Sequence, residues 1–290
     1  MPITENPTAA DSPRAGRPAA PVFPRILCAV DGTRSANGAV RAAARLAGDG
    51  GRLTLLAVTG ESGSGQYAAA AISPTRAQVV LDLAERLAER EGIEPDALVV
   101  DRGAPPTEAI LARARDADLL VLGPPKSRLA RMFVRSVAAD ALARFTTPLL
   151  IARGPSGGPL EGRAIVVADD GRPESQPVAD LAGRIAAAHG ARAVLVGAAG
   201  SETDARSRIE QRARRLADTV PGGCTTQVEA GPAADVVLAA AGEHDAALIL
   251  AGSRRRRGLH AFGSVSRRLV REAQCPVLLV PPQDARSESS

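Results

Sequence analysis

The chain says nearly the same thing twice. Residues 26–32 read ILCAVDG and residues 165–171 read IVVADDG. Each copy then runs through a helix-like stretch and further apolar runs, and closes on a short strand opened by proline: PLLIA at 148–152 and PVLLV at 276–280. Landmarks hold register between the copies. Asp31 to Asp170 is a shift of 139 and Val58 to Ala198 is 140. Gly103 to Gly231 is 128, Gly123 to Gly252 is 129, and Pro148 to Pro276 is 128. The second copy is therefore about a dozen residues shorter between its second and third strands. A doubled unit must fold the same way twice, and strands that alternate with helices imply a parallel sheet with right-handed crossovers. Each copy can then be read against the other.

A length of 290 residues suits two domains. The apolar share is 45% but aromatics are only 2%, so the cores must be built from Ala, Val and Leu. Small aliphatic side chains suit helices packed closely on a parallel sheet. The expected fold is α/β, as two tandem, doubly wound, five-stranded parallel-sheet domains. Residues 1–23 read as a disordered lead-in, 24–153 as the first domain, 154–162 as a Gly/Pro linker, 163–282 as the second domain and 283–290 as a polar, disordered tail. Strands are expected at 26–30, 53–58, 97–100, 119–122 and 149–152. Those of the second copy are expected at 164–168, 193–197, 226–229, 248–251 and 277–280. Helices are expected near 35–47, 74–91, 107–114 and 136–143, and near 175–189, 203–219, 233–242 and 264–273. Ser35, Ser136 and Ser264 read as helix caps, and Pro74 as a helix start.

Several function classes fall away. Cys28, Cys224 and Cys275 are far apart and in no CxxC pattern, which argues against a disulfide framework or a zinc site. His189, His244 and His260 lack metal-ligand spacing, so no metal is expected. A net charge of +4 without aromatic interleaving is a poor nucleic-acid footprint. Lys126 is the one lysine beside 35 arginines, which reads as coding bias. No run reaches the ~18 apolar residues of a membrane span, and 1–24 lacks a signal-peptide core. A cytoplasmic protein is expected.

Open α/β sheets bind ligands beyond the C-terminal strand ends, where the strand order reverses. The first strands end at Asp31 and Asp170, and the fourth at Gly123 and Gly252. At these residues the chain resembles the universal stress protein family. The resemblance rests on Val30-Asp31-Gly32, on the Gly103 to Ile110 approach, on ADLLVLG at 117–123 and on EAQCPVL at 272–278, and it covers almost all of 24–282, twice. It implies two five-stranded units in the order 3-2-1-4-5, paired through their fifth strands as a pseudo-dimer.

The ATP-binding branch of that family carries G-x2-G-x9-G-[ST] after strand four. Its Asp after strand one contacts the nucleoside, and backbone after strand two meets the adenine. The resemblance thus implies an adenine-nucleotide site at Asp170, Ala198, Gly252, Ser253, Gly263, Ser264 and Val265. A weaker set follows in the first copy: Asp31, Val58, Gly123, Ser136 and Val137. Neither copy keeps the whole motif. The second has Arg255 for the second glycine and is two residues short; the first has Arg135 for the closing glycine, Pro124-Pro125 after Gly123, and is one residue short. Prolines remove amide donors, and a non-glycine residue forced into left-handed geometry costs about 1–2 kcal/mol. The arginines at 254–257 read as a phosphate neutraliser or a solvated loop tip.

Three readings follow. One is a stress-response regulatory module that binds ATP or a related adenine nucleotide weakly, mainly in the second copy. Another is an interaction scaffold with two decayed pockets. The third, an adenine-nucleotide enzyme, lacks an S-G-G-x-D-S loop or any nucleophile–base pair, leaving at most slow incidental ATP hydrolysis. Partners expected are the other repeat, a homodimer mate and a regulatory protein, with neither nucleic acid nor membrane.

Overall fold

The computed structural model describes residues 20–48, 50–59, 72–100, 106–124, 141, 144–153, 159–198, 203–253 and 263–282. The first repeat runs β1 (Arg25–Ala29), α1 (Arg34–Ala47), β2 (Arg52–Val58), α2 (Pro74–Glu89), β3 (Asp96–Val100), α3 (Pro106–Ala114), β4 (Leu119–Leu122) and β5 (Leu149–Ile151). The second runs β6 (Ala164–Ala168), α4 (Gln176–His189), β7 (Arg192–Ala198), α5 (Thr203–Ala217), β8 (Cys224–Glu229), α6 (Ala233–Glu243), β9 (Leu248–Gly252), α7 (Ser264–Glu272) and β10 (Val277–Val280). The lead-in at 1–19, the loop at 60–71, the turn at 101–105, the linker at 154–158 and the tail at 283–290 lie outside the described residues. So does the helix expected at 136–143, apart from Ala141, which is helical.

The strands form one ten-stranded sheet in the order β3-β2-β1-β4-β5-β10-β9-β6-β7-β8. Each half reads 3-2-1-4-5 and is parallel throughout. The halves meet where β5 and β10 pair antiparallel, with Leu150 opposite Leu278. This seam removes two open strand edges, since each fifth strand supplies the other's missing hydrogen bonds.

Side chains alternate across a strand, and here both faces are apolar. In β1, Ile26 and Cys28 join one buried cluster and Leu27 the other; in β9, Leu248 and Leu250 join the first, Ile249 and Ala251 the second. Helices α1, α2, α4 and α5 cover the first face, and α3, α6 and α7 the second. Phe23 is also buried in the first cluster, just ahead of the expected start of the domain at 24. Burial on both faces explains why the strands read as continuous apolar runs rather than alternating ones. A fully buried Leu or Ile here contributes about 1.5–3 kcal/mol.

Local signals set the helix ends. Thr33 caps α1 by accepting from the Ala36 amide, and Gly48 closes it at φ 54°. Ser35, expected as the cap, lies inside the first turn, where its hydroxyl is 2.9 Å from that of Thr33. Ser73 caps α2, with Pro74 at the first position, where its missing N–H would have had no partner anyway.

Candidate functional site

The strand order reverses between β6 and β9, where Ala168 pairs with Ala251. On the other side Ala168 pairs with Val196 of β7. This register brings the C-terminal ends of β6, β7 and β9 to one end of the sheet. Asp170, Ala198 and Gly252 therefore share that end. Helix α7 starts there too: the Ser266 hydroxyl donates to the Gly252 carbonyl at 3.2 Å and ties the helix start to the strand end.

Three details revise the sequence reading. Gly263, not Ser264, is the cap of α7, and among the described residues no side chain caps this helix. Ser264 is exposed in the first turn. Gly263 adopts φ −62° and ψ 151°, which any residue can adopt. Its glycine is not needed for left-handed backbone; among the described residues no atom lies within 4 Å of where a Cβ would stand. The Ser253 amide donates to the Val280 carbonyl at 2.8 Å, so it already serves the sheet. Val265 is half-buried against the second cluster.

The turn after β6 is built on two aspartates that point apart. Asp170 Oδ1 accepts from the Arg172 amide at 3.1 Å and from the Ser175 hydroxyl at 2.7 Å. Asp169 turns inward, and its Oδ1 accepts from the Gly171 amide at 2.8 Å. Its other oxygen pairs with Arg212 of α5, both side chains being nearly sealed from solvent at 0% and 5% exposed. Arg212 also donates to Gln176 Oε1 at 2.8 Å and to the Arg172 carbonyl at 3.0 Å. One guanidinium thus clamps three points of the turn that carries Asp170. The sequence reading missed Arg212. Its signal was present: a second acid at the strand exit, and an arginine beside the apolar positions Ile209, Ala213 and Leu216 of α5.

The first repeat makes the same turn without a buried charge. Val30 occupies the place of Asp169 and is buried in the cluster that holds Val80, Leu81 and Ala84 of α2. Asp31 Oδ1 accepts from the Thr33 amide at 3.0 Å and its hydroxyl at 2.6 Å, the counterpart of Asp170. Gly123 faces the backbone of α1: a Cβ there would lie 3.4 Å from the Ser35 carbonyl. In the second repeat the matching Gly252 faces, among the described residues, a side-chain methyl of Val178 at 3.3 Å. Val58 is buried at the end of β2. Ser136 and Val137 lie outside the described residues.

No nucleophile stands out among the described residues. Burial pushes the Cys28 thiol up to about 12 and the Cys224 and Cys275 thiols up to about 11. No group of three or more His, Cys, Asp or Glu that could hold a metal occurs among the described residues. No described helix is long and apolar enough to cross a membrane.

A five-stranded parallel unit, doubled and joined through its fifth strands, defines a tandem doubly wound α/β protein. A model of the universal stress protein family matches residues 23–153 and again 162–281. The chain belongs to that family. Among solved structures, a universal stress protein from Archaeoglobus fulgidus superposes with a TM-score of 0.74 over 91% of this chain and 97% of that one, at 18% identity. A functionally unknown protein from Pseudomonas aeruginosa superposes at 0.68 over 92% of this chain and 95% of that one, also at 18% identity. At such identity the likeness concerns the fold alone. No curated protein matches the chain.

Proposed function

We propose that the chain is a stress-response regulatory module whose second repeat binds an adenine nucleotide, ATP or a relative, weakly. The observation that carries this reading is the convergence of Asp170, Ala198, Gly252 and the uncapped start of α7 beside the β6/β9 reversal. Helix N-termini favour anions, because their first amides lack partners within the helix. The open space at Gly263 fits a phosphate near Ser264 and Val265. Asp170 would hold the nucleoside side, and backbone at Ala198 the base. The chain's residues would bind and orient the nucleotide, and no described base stands ready to activate water.

Calorimetric titration with ATP tests this. The parent protein should bind, and Gly263→Arg should weaken binding by about tenfold or more, through crowding of the helix start. The backbone at 263 accepts any residue, so the variant should fold normally. Absence of binding by the parent overturns the reading. A second reading, a nucleotide-independent scaffold, is favoured by the Ser253 amide already committed to Val280 and by Arg255 in place of a motif glycine. It expects partner recovery from cells to be insensitive to added ATP.

A further inference from the structure

The ten-stranded sheet ends in β3 on one side and in β8 on the other. A strand edge presents unpaired N–H and C=O groups and is a template for another strand. The two edges here differ. In β8, the Ala193 amide donates to the Gly223 carbonyl at 3.0 Å, so the backbone of every second residue from Gly223 faces β7. The backbone of Val228 therefore faces outward, and Arg206 of α5 donates to its carbonyl at 2.9 Å. A cationic side chain thus sits on that edge.

In β3, the Thr59 amide donates to the Val100 carbonyl at 3.0 Å. The backbone of Val100 and Leu98 therefore faces β2, and that of Val99 and Ala97 faces outward. Among the described residues nothing bonds these outward groups. The difference starts on the helices. Ala77 and Leu81 are buried in α2 as Ala205 and Ile209 are in α5, a shift of 128, so Gln78 stands where Arg206 stands. Gln78 instead donates to Asp82 Oδ1 at 2.9 Å, one turn along its own helix, and leaves the Val99 carbonyl open. Residues 96–100 read DALVV, without the Lys, Arg or Pro that would guard an edge. The one charge, Asp96, is already paired with Arg52 of β2 at 2.9 Å. Val99 is 39% exposed.

The β5/β10 seam shows what covers such an edge in this molecule: matching strands of the two repeats pair antiparallel over three residue pairs. β3 can meet its own copy in the same way. A twofold axis at Leu98 sets Ala97 opposite the partner's Val99, and Val99 opposite the partner's Ala97. These outward-facing residues then exchange both of their hydrogen bonds, while Leu98 meets the partner's Leu98 in a non-hydrogen-bonded pair with Cα atoms about 4.5 Å apart. A small side chain faces a larger one on one side of the sheet, and leucines meet on the other. Asp96 falls opposite the partner's Val100, so no like charges face each other. We propose that β3 pairs antiparallel with β3 of a second copy, joining two chains into one continuous sheet. Because Arg206 occupies the other edge, the assembly closes as a twofold dimer and does not grow into a fibre.

Sedimentation equilibrium of the full chain over a concentration series tests this. The parent should show a monomer–dimer equilibrium that stops at the dimer. Val99→Lys, at an exposed position, should weaken association about tenfold or more. Gln78→Arg copies the guard of the second repeat and should weaken it too. Thr226→Lys, on the exposed β8 edge, should leave association unchanged. Leu98→Cys should give an inter-chain disulfide on mild oxidation, since the facing Cα atoms fall within the roughly 4.4–6.8 Å that a disulfide spans. Asp96→Cys, displaced from its own copy in this register, should not. A parent that stays monomeric at every concentration, its edge then free for a strand of another protein, overturns the proposal. So does a dimer that is indifferent to Val99→Lys and gives no cross-link through Leu98→Cys.

Discussion

The two repeats share strand order and pairing register, yet they close the turn after their first strand by opposite means. The first buries Val30 among aliphatic side chains, and Thr33 caps α1 at once. The second buries an aspartate and neutralises it with Arg212; a short 3-10 turn at Pro173–Ser175 precedes α4. The fold therefore does not require a charge at this place, since one copy does without it. A buried ion pair rarely adds net stability over an apolar filling. What the second copy gains is a turn held at three points by one guanidinium, and this is the turn that presents Asp170. The repeat with the more complete phosphate motif is also the one with the clamped turn.

The largest effect should come from breaking that clamp. Arg212→Met strands the Asp169 carboxylate in the core and should cost about 3–5 kcal/mol in urea unfolding. Adding Asp169→Val copies the first repeat and should restore most of this loss. If the single variant is as stable as the parent, the clamp is not structural and the contrast between the repeats fails.

Glycine substitutions should sharpen the comparison. Gly32 and Gly171 both sit at positive φ, 75° and 72°. A Cβ at Gly171 would meet the backbone of Ala205 at 2.8 Å, whereas at Gly32 it would meet a methyl of Val80 at 2.6 Å. A side chain can rotate away and a helix backbone cannot. Gly32→Ala should cost about 1–2 kcal/mol, and Gly171→Ala clearly more, by thermal or urea unfolding. A smaller effect should separate the caps: Thr33→Ala should cost about 1 kcal/mol. Ser175→Ala should cost less, since its hydroxyl serves Asp170 and makes no cap bond.

The smallest effect is a pH dependence. His189 ends α4 beside Gly48, which follows α1, and burial lowers its pKa from the usual 6.5. The unfolded chain therefore takes this proton first as pH falls. Stability should be fully present above pH 6.5 and decline below it. His189→Gln should flatten the part of the pH–stability profile just below 6.5.

Much of the fold was legible in the sequence, because strands covered on both faces write themselves as unbroken apolar runs. The strands at 119–122, 164–168 and 277–280 fall where the runs fall, and most other element ends move by one or two residues. Helix ends read less well. Ser35 and Ser264 looked like caps, but Thr33 and Gly263 hold those places, since any small polar residue near a helix start gives the same signal. The candidate site was legible where strand ends define it, at Asp170 and Gly252. It was not legible where tertiary contacts decide: Arg212 reaches Asp169 across 43 positions of sequence.

The most direct test of the proposed single nucleotide site is stoichiometry. Native mass spectrometry of the full chain in excess ATP should show one bound nucleotide per chain, lost in Gly263→Arg and retained in Asp31→Ala. Two nucleotides per chain, or none, would contradict the assignment of binding to the second repeat alone.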